Sequence, residues 1–240
     1  MTVVAIGSIK GSPGVTTTVL ALAAVWPASR SLVVAEVDPD GGVLAVRREL
    51  GLEPGLVTLA AALRRGNDAV SPHTQPLGAR VRAIVTPPSA EQTRAALGVA
   101  GDRLWRVFDT LADDLLVDCG RLTTTSPVIA LARRAATALV VARPRLEDVA
   151  LLCERVPALR RAGVDPRVLL IGDGPYHRDE VAAAVETQVT AVIPVDRRSA
   201  DALDSRAGGG LTSRAPLVRS ARQISATLVT RAGTAMQAQA

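Results

Sequence analysis

The chain has 240 residues, 48% hydrophobic and 21% charged, with 2% aromatic and a formal net charge of +5. That balance can bury a core and excludes intrinsic disorder. It permits an acidic partner without requiring one. The length fits a single domain over 1–240, with a flexible tail expected from about 233.

Short β-branched runs alternate with Ala/Leu-rich stretches from end to end. Strands are expected at 2–7, 32–37, 81–85, 115–118, 138–142, 167–171 and 191–193. Helices are expected at 16–25, 56–65, 91–97, 103–112, 128–135, 146–162 and 179–186. The strands are almost wholly apolar rather than alternating, as when both faces of a sheet are covered. This pattern predicts an α/β fold, a doubly wound and mostly parallel sheet flanked by helices, with ligands beyond the carboxyl ends of the strands. The stretch 66–88 reads as a loop around the third strand, and Gly208-Gly209-Gly210 as a flexible connection. Near the C-terminus Leu217, Ile224 and Leu228 fall at helical spacing, which favours packing on the sheet over a membrane surface. The longest apolar stretch, near 19–25, is too short to span a bilayer.

The first strand hands over to Lys10-Gly11-Ser12-Pro13-Gly14-Val15-Thr16-Thr17. Lys10 is the chain's single lysine among 28 Lys and Arg residues. A Gly-rich turn between strand and helix places main-chain amides and the helix N-terminus around an anion. The usual phosphate loop carries lysine where this chain has Val15. An ordinary strand-to-helix turn is the bland alternative. The second strand ends in Glu36-Val37-Asp38-Pro39-Asp40-Gly41, where a carboxylate can orient a water or hold a metal's water shell. Asp38 is equally suited to an Asx turn. The strand Asp114-Leu115-Leu116-Val117-Asp118 again ends in an acid, the arrangement that holds a magnesium hydration shell. Each motif is weak alone; three in this order, each at a strand end, are specific.

Arginine doublets at 47–48, 64–65, 133–134, 160–161 and 197–198 read as solvated helix ends, several complementing a helix dipole. Cys119 and Cys153 have no CxxC and no histidine at ligand spacing, which fits a reduced, cytoplasmic protein without a zinc site. His73 and His177 read as surface residues.

With these motifs the chain resembles the MinD/ParA group of deviant-Walker P-loop ATPases over nearly its whole length. The loop K-G-G-x-G-K-T-T stands over Lys10 to Thr17, with Lys10 at the signature lysine. D-x-D-P-Q-G matches 36–41, and D-x-P-P matches Asp118-Cys119-Gly120-Arg121. V-V-T-x-P resembles Val140-Val141-Ala142-Arg143-Pro144, and I-P-x-D resembles Ile193-Pro194-Val195-Asp196. Within the group, 81–92 looks most like the CpaE/TadZ proteins of pilus assembly.

The resemblance implies ATP or ADP with Mg2+ as cofactors, and Lys10 and Asp38 as catalytic residues. It implies nucleotide contacts from Lys10, Gly11, Ser12, Gly14, Val15, Thr16, Thr17, Pro144, Asp173 and Pro194, and metal contacts from Thr16, Asp38 and Asp118. Val15 removes a charge, Ser12 replaces a glycine and Pro13 removes an N–H. Gly172-Asp173 stands where the family carries Asn-Arg at the base. The reading is a dimerising positioning or partitioning factor with weak or lost hydrolysis. Its cargo is a pilus, secretion or partition machinery, without membrane insertion. The alternatives are an active partitioning ATPase that binds DNA non-specifically, which scattered arginines disfavour, and a nucleotide-free scaffold.

Overall fold

The computed structural model describes residues 1–11, 14–205 and 211–237, with side chains described up to Thr230. Ser12, Pro13, the glycine run 208–210 and the last three residues of the expected tail lie outside them.

The chain opens with β1 (Val3–Ser8), α1 (Val15–Ala24), β2 (Leu32–Glu36), a short α2 (Leu44–Arg47) and α3 (Leu56–Arg64). A 3-10 turn leads into β3 (Gln75–Pro76), then β4 (Val81–Ile84), α4 (Ala90–Ala100), α5 (Arg103–Asp109) and β5 (Asp114–Arg121). The second half continues α6 (Ile129–Arg134), β6 (Thr137–Ala142), α7 (Leu146–Arg161), β7 (Pro166–Ile171), α8 (Arg178–Val185), β8 (Val189–Ile193), α9 (Arg197–Asp204) and α10 (Pro216–Gln237). The eight strands form one sheet in the order β3-β4-β2-β5-β1-β6-β7-β8. Every pairing is parallel except β3 with β4. β1 lies at the centre, and the chain winds outward from it first to one side and then to the other. A crevice for ligands forms at such a reversal.

Period-two alternation sorts the strand side chains onto two faces. Ala5, Val33, Ala35, Leu115, Val117, Val140 and Leu170 join one core with α3 to α8. Val4, Ile6, Leu32, Val34, Leu116, Leu139 and Leu169 join the other, with α1 and α10. Both faces of the sheet are covered by buried apolar side chains, which is why the strands read as continuous apolar runs. Leu217, Ile224 and Leu228 are buried in the second core, so α10 packs on the protein as its spacing predicts. Among the described residues no helix is long and apolar enough to cross a membrane.

The sequence reading misses three features. Residues 44–47 form α2, whose register is held by a buried glutamate rather than by helix propensity. The expected loop before the third strand contains β3, only two residues long and antiparallel. α9 starts at the Arg197-Arg198 doublet instead of ending on it, with Asp196 as N-cap: its Oδ1 accepts from the Ser199 amide at 3.1 Å. His73 is half-buried, its Nδ1 2.9 Å from the Thr58 hydroxyl, so only His177 is a surface histidine.

Candidate nucleotide-binding site

The sheet's face preference brings the acids together. Asp118 follows Leu116 by two residues, and Glu36 follows Val34 by two, so both carboxyls share the α1 face. Glu36 and Asp118 are Cα partners across β2 and β5, and Ile6 pairs with Asp118 across β1 and β5. α1 begins directly above, after Gly14 in the left-handed region (φ 93°). Its second residue, Thr16, donates its hydroxyl to Asp118 Oδ2 at 2.6 Å. Asp118 Oδ1 accepts from the Gly120 amide at 3.0 Å. Burial, opposed by these hydrogen bonds, pushes the Asp118 carboxyl up to about 6. No side chain caps α1, which leaves its first-turn amides available to a ligand.

An open cleft of about 390 Å³ lies over this point, lined by Gly11, Gly14, Val15, Thr16, Thr17, Asp38, Asp118, Gly120 and by Arg47 and Arg121. Asp38 makes the Asx turn and also lines the cleft. Its Oδ1 accepts from the Asp40 amide at 2.9 Å, an Asx turn, while the residue faces the cleft. Burial raises its pKa, partly offset by the Asp40 hydrogen bond. The carboxyl rests on Gly120, which has φ 56°, and a Cβ there would lie 1.9 Å from Asp38 Cγ. Glycine is thus demanded twice, by conformation and by contact.

Glu36 does different work from its neighbour. It is buried, and its Oε1 accepts from the amides of Val43 and Leu44, each at 2.8 Å. Oε2 accepts from Thr86 at 3.0 Å. A Cβ on Gly42 would fall 2.2 Å from Oε2, so the loop closes over the carboxyl only with glycine there. Burial, with the nearby Asp118 charge second, pushes Glu36 up to about 7. Through this anchor Glu36 sets α2 and therefore Arg47. Arg47 Nη2 donates to Thr17 Oγ1 at 3.0 Å, and its Nε donates to Asp204 Oδ1 at 2.6 Å. Neither Arg47 nor Arg121 was singled out from sequence. Arg47 stands in a doublet read as a solvated helix end, and nothing local marks it as facing the cleft.

The remaining expected site residues divide. Val15 touches the cleft but is 7% exposed and packs into the α1-side core. Lys10 is exposed and lines a smaller depression of about 80 Å³ beside the cleft, with Arg143, Glu147 and Asp148. Pro194 lines a third depression of about 200 Å³ that meets the cleft at Gly14 and Thr17. Asp173 is exposed and lines none of these hollows. Pro144 is buried instead, its carbonyl packed so tightly against Gly174 that a Cβ there would lie 2.1 Å from the oxygen. Ser12 lies outside the described residues.

A strand, a Gly-rich turn, a helix and an acid on the adjacent strand define a P-loop nucleotide-binding fold. Solved structures narrow it. The ParA family ATPase from Chlorobium tepidum superposes with a TM-score of 0.79 at 13% identity, covering 94% of this chain and 97% of that one. MinD of Pyrococcus horikoshii, complexed with Mg-ADP, gives a TM-score of 0.75 at 16% identity over 97% and 98% of the two chains. Apo McdA from Cyanothece gives 0.70 at 18% identity over 95% and 99%. No family model matches the chain, and no curated protein matches it in sequence. The chain has the fold of the MinD/ParA P-loop ATPases.

Proposed function

We propose that this chain binds ATP with Mg2+, dimerises in the nucleotide-bound state and acts as a positioning or partitioning factor with slow hydrolysis. One observation carries the reading: Thr16, Asp118 and Asp38 meet at an uncapped helix N-terminus inside an open cleft. A buried and a half-buried acid with no ion pair among the described residues, beside uncapped helix amides, fit a metal-bound polyphosphate. The Mg-ADP held by the similar archaeal MinD supports the same ligand class.

In this reading the amides of Gly14 to Thr17 hold phosphate oxygens and Thr16 and Asp118 hold the metal. Mg2+ supplies charge neutralisation across the phosphates. Asp38, fixed by its Asx turn, orients a water. The depression at Pro194 takes the nucleoside end. Lys10, exposed beside its own cleft, serves a second copy in this reading. Losing one preorganised donor at Val15 costs on the order of a hundred- to a thousandfold in turnover.

Calorimetric titration of ATP·Mg2+ into wild type and Thr16→Ala tests this. The expected wild-type dissociation constant is micromolar or weaker, about −8 kcal/mol or less favourable, with clear weakening in the variant. No heat from the wild type would favour a nucleotide-free scaffold. Val15→Lys is expected to raise hydrolysis; no gain would remove the account of the missing charge.

A further inference from the structure

A triphosphate in this cleft needs a cation, and the loop does not supply one. Lys10 lines the neighbouring depression, and Val15 is buried in apolar surroundings. Among the described residues the cations lining the cleft are Arg47 and Arg121. Their states differ. Arg47 is committed to Asp204 and Thr17, with its side chain 20% exposed. Arg121 is exposed and, among the described residues, has neither a hydrogen bond nor an ion pair; its one electrostatic partner is Asp38, whose carboxyl it pulls down. Its Nη2 lies 3.3 Å from where a Cβ on Gly11 would stand. An exposed arginine beside Gly11, with Asp38 near it but no ion pair formed among the described residues, suits a phosphate, since the planar fork pairs with two oxygens at once.

The order of parts along the cleft fixes which phosphates it meets. The nucleoside depression joins the cleft at Gly14 and Thr17. Arg121, Asp38 and Gly120 line the cleft but not that depression, and the Asp38 carboxyl rests on Gly120. A chain of phosphates running away from the nucleoside therefore ends at Arg121. We propose that Arg121 grips the terminal phosphate of a bound nucleoside triphosphate, taking over the charge that a lysine at position 15 would bring. Arg47 is a positioning residue that holds Thr17 and the first turn of α1. This rests on the nucleotide reading above and adds a ligand to it.

The test is paired calorimetry with ATP·Mg2+ and ADP·Mg2+ on wild type, Arg121→Ala, Arg121→Gln and the double variant Val15→Lys/Arg121→Ala. Loss of a charge-assisted phosphate contact is expected to weaken ATP roughly 10- to 100-fold in either single variant, and ADP by less than about threefold. The double variant is expected to regain part of the ATP affinity. Wild type that binds ATP, with single variants within about threefold of it, would overturn the role of Arg121 and leave the nucleotide reading intact. Equal loss of ATP and ADP would overturn it too, because a merely structural residue does not discriminate the terminal phosphate. Wild type that binds neither nucleotide removes the reading and this assignment together.

Discussion

Gly120 shows how tightly single positions constrain the cleft. Its φ of 56° and the Asp38 carboxyl resting on it leave no room for a methyl group. Gly120→Ala is expected to destabilise the protein by about 1–3 kcal/mol and to displace Asp38, since left-handed strain and overpacking add. Urea unfolding reads the first effect. The second appears as lost turnover, with ATP affinity falling less than in Thr16→Ala. A midpoint equal to wild type would show that the main chain relaxes around the new group. Asp118 and Asp38 stand out in sequence because each follows an apolar run, although β2 ends at Glu36 and β5 continues to Arg121. Glu36 was legible as an acid but not as an anchor: its partners are the amides of Val43, Leu44 and Thr86, and the last lies 50 positions along the chain.

At the level of elements, one buried carboxyl ties three segments. Asp114 at the start of β5 accepts from the Thr2 amide at 2.7 Å, the Trp26 indole N–H at 2.8 Å and Arg30 Nη2 at 2.6 Å. It thereby clamps the entry of β1 and the turn after α1 to the sheet centre. Burial pushes its pKa up, but the Arg30 guanidinium, the indole and the amide outweigh burial and hold it below the ordinary carboxylate range. A carboxyl of that kind binds its proton more weakly when folded than when unfolded. Its contribution is therefore complete at neutral pH and fades as the pH drops through and below about 4. Asp114→Asn is expected to cost roughly 1–3 kcal/mol at neutral pH and to flatten the acid limb of a stability-against-pH curve. A variant whose midpoint falls with acid as steeply as wild type would place the acid lability elsewhere. The strands and most helices were readable because the pattern of apolar residues is local. α2 and β3 were not, since four and two residues carry no period and their conformation is imposed by Glu36 and by β4.

For the whole molecule, the two cysteines give a probe of global opening. Cys153 is exposed on α7, whereas Cys119 belongs to β5 and is buried in the core, where burial first and the nearby Asp118 and Asp38 charges next raise its thiol pKa far above normal. A thiol reagent is expected to modify one cysteine promptly in the native state. The second is expected to react only at denaturant concentrations that unfold the sheet. Prompt modification of both would mean that β5 opens locally. The order of the strands was foreseeable only as a class. The particular sequence, with β5 inserted between β1 and β2, depends on long-range pairings that no stretch of chain announces.

The border strand β3 has a consequence of its own. It offers two residues, one of them Pro76, which has no amide hydrogen to donate. A sheet that ends on so short and proline-blunted a margin gives a foreign β-segment almost nothing to zip onto, which protects a crowded population of these molecules from fibre-like accretion along that side.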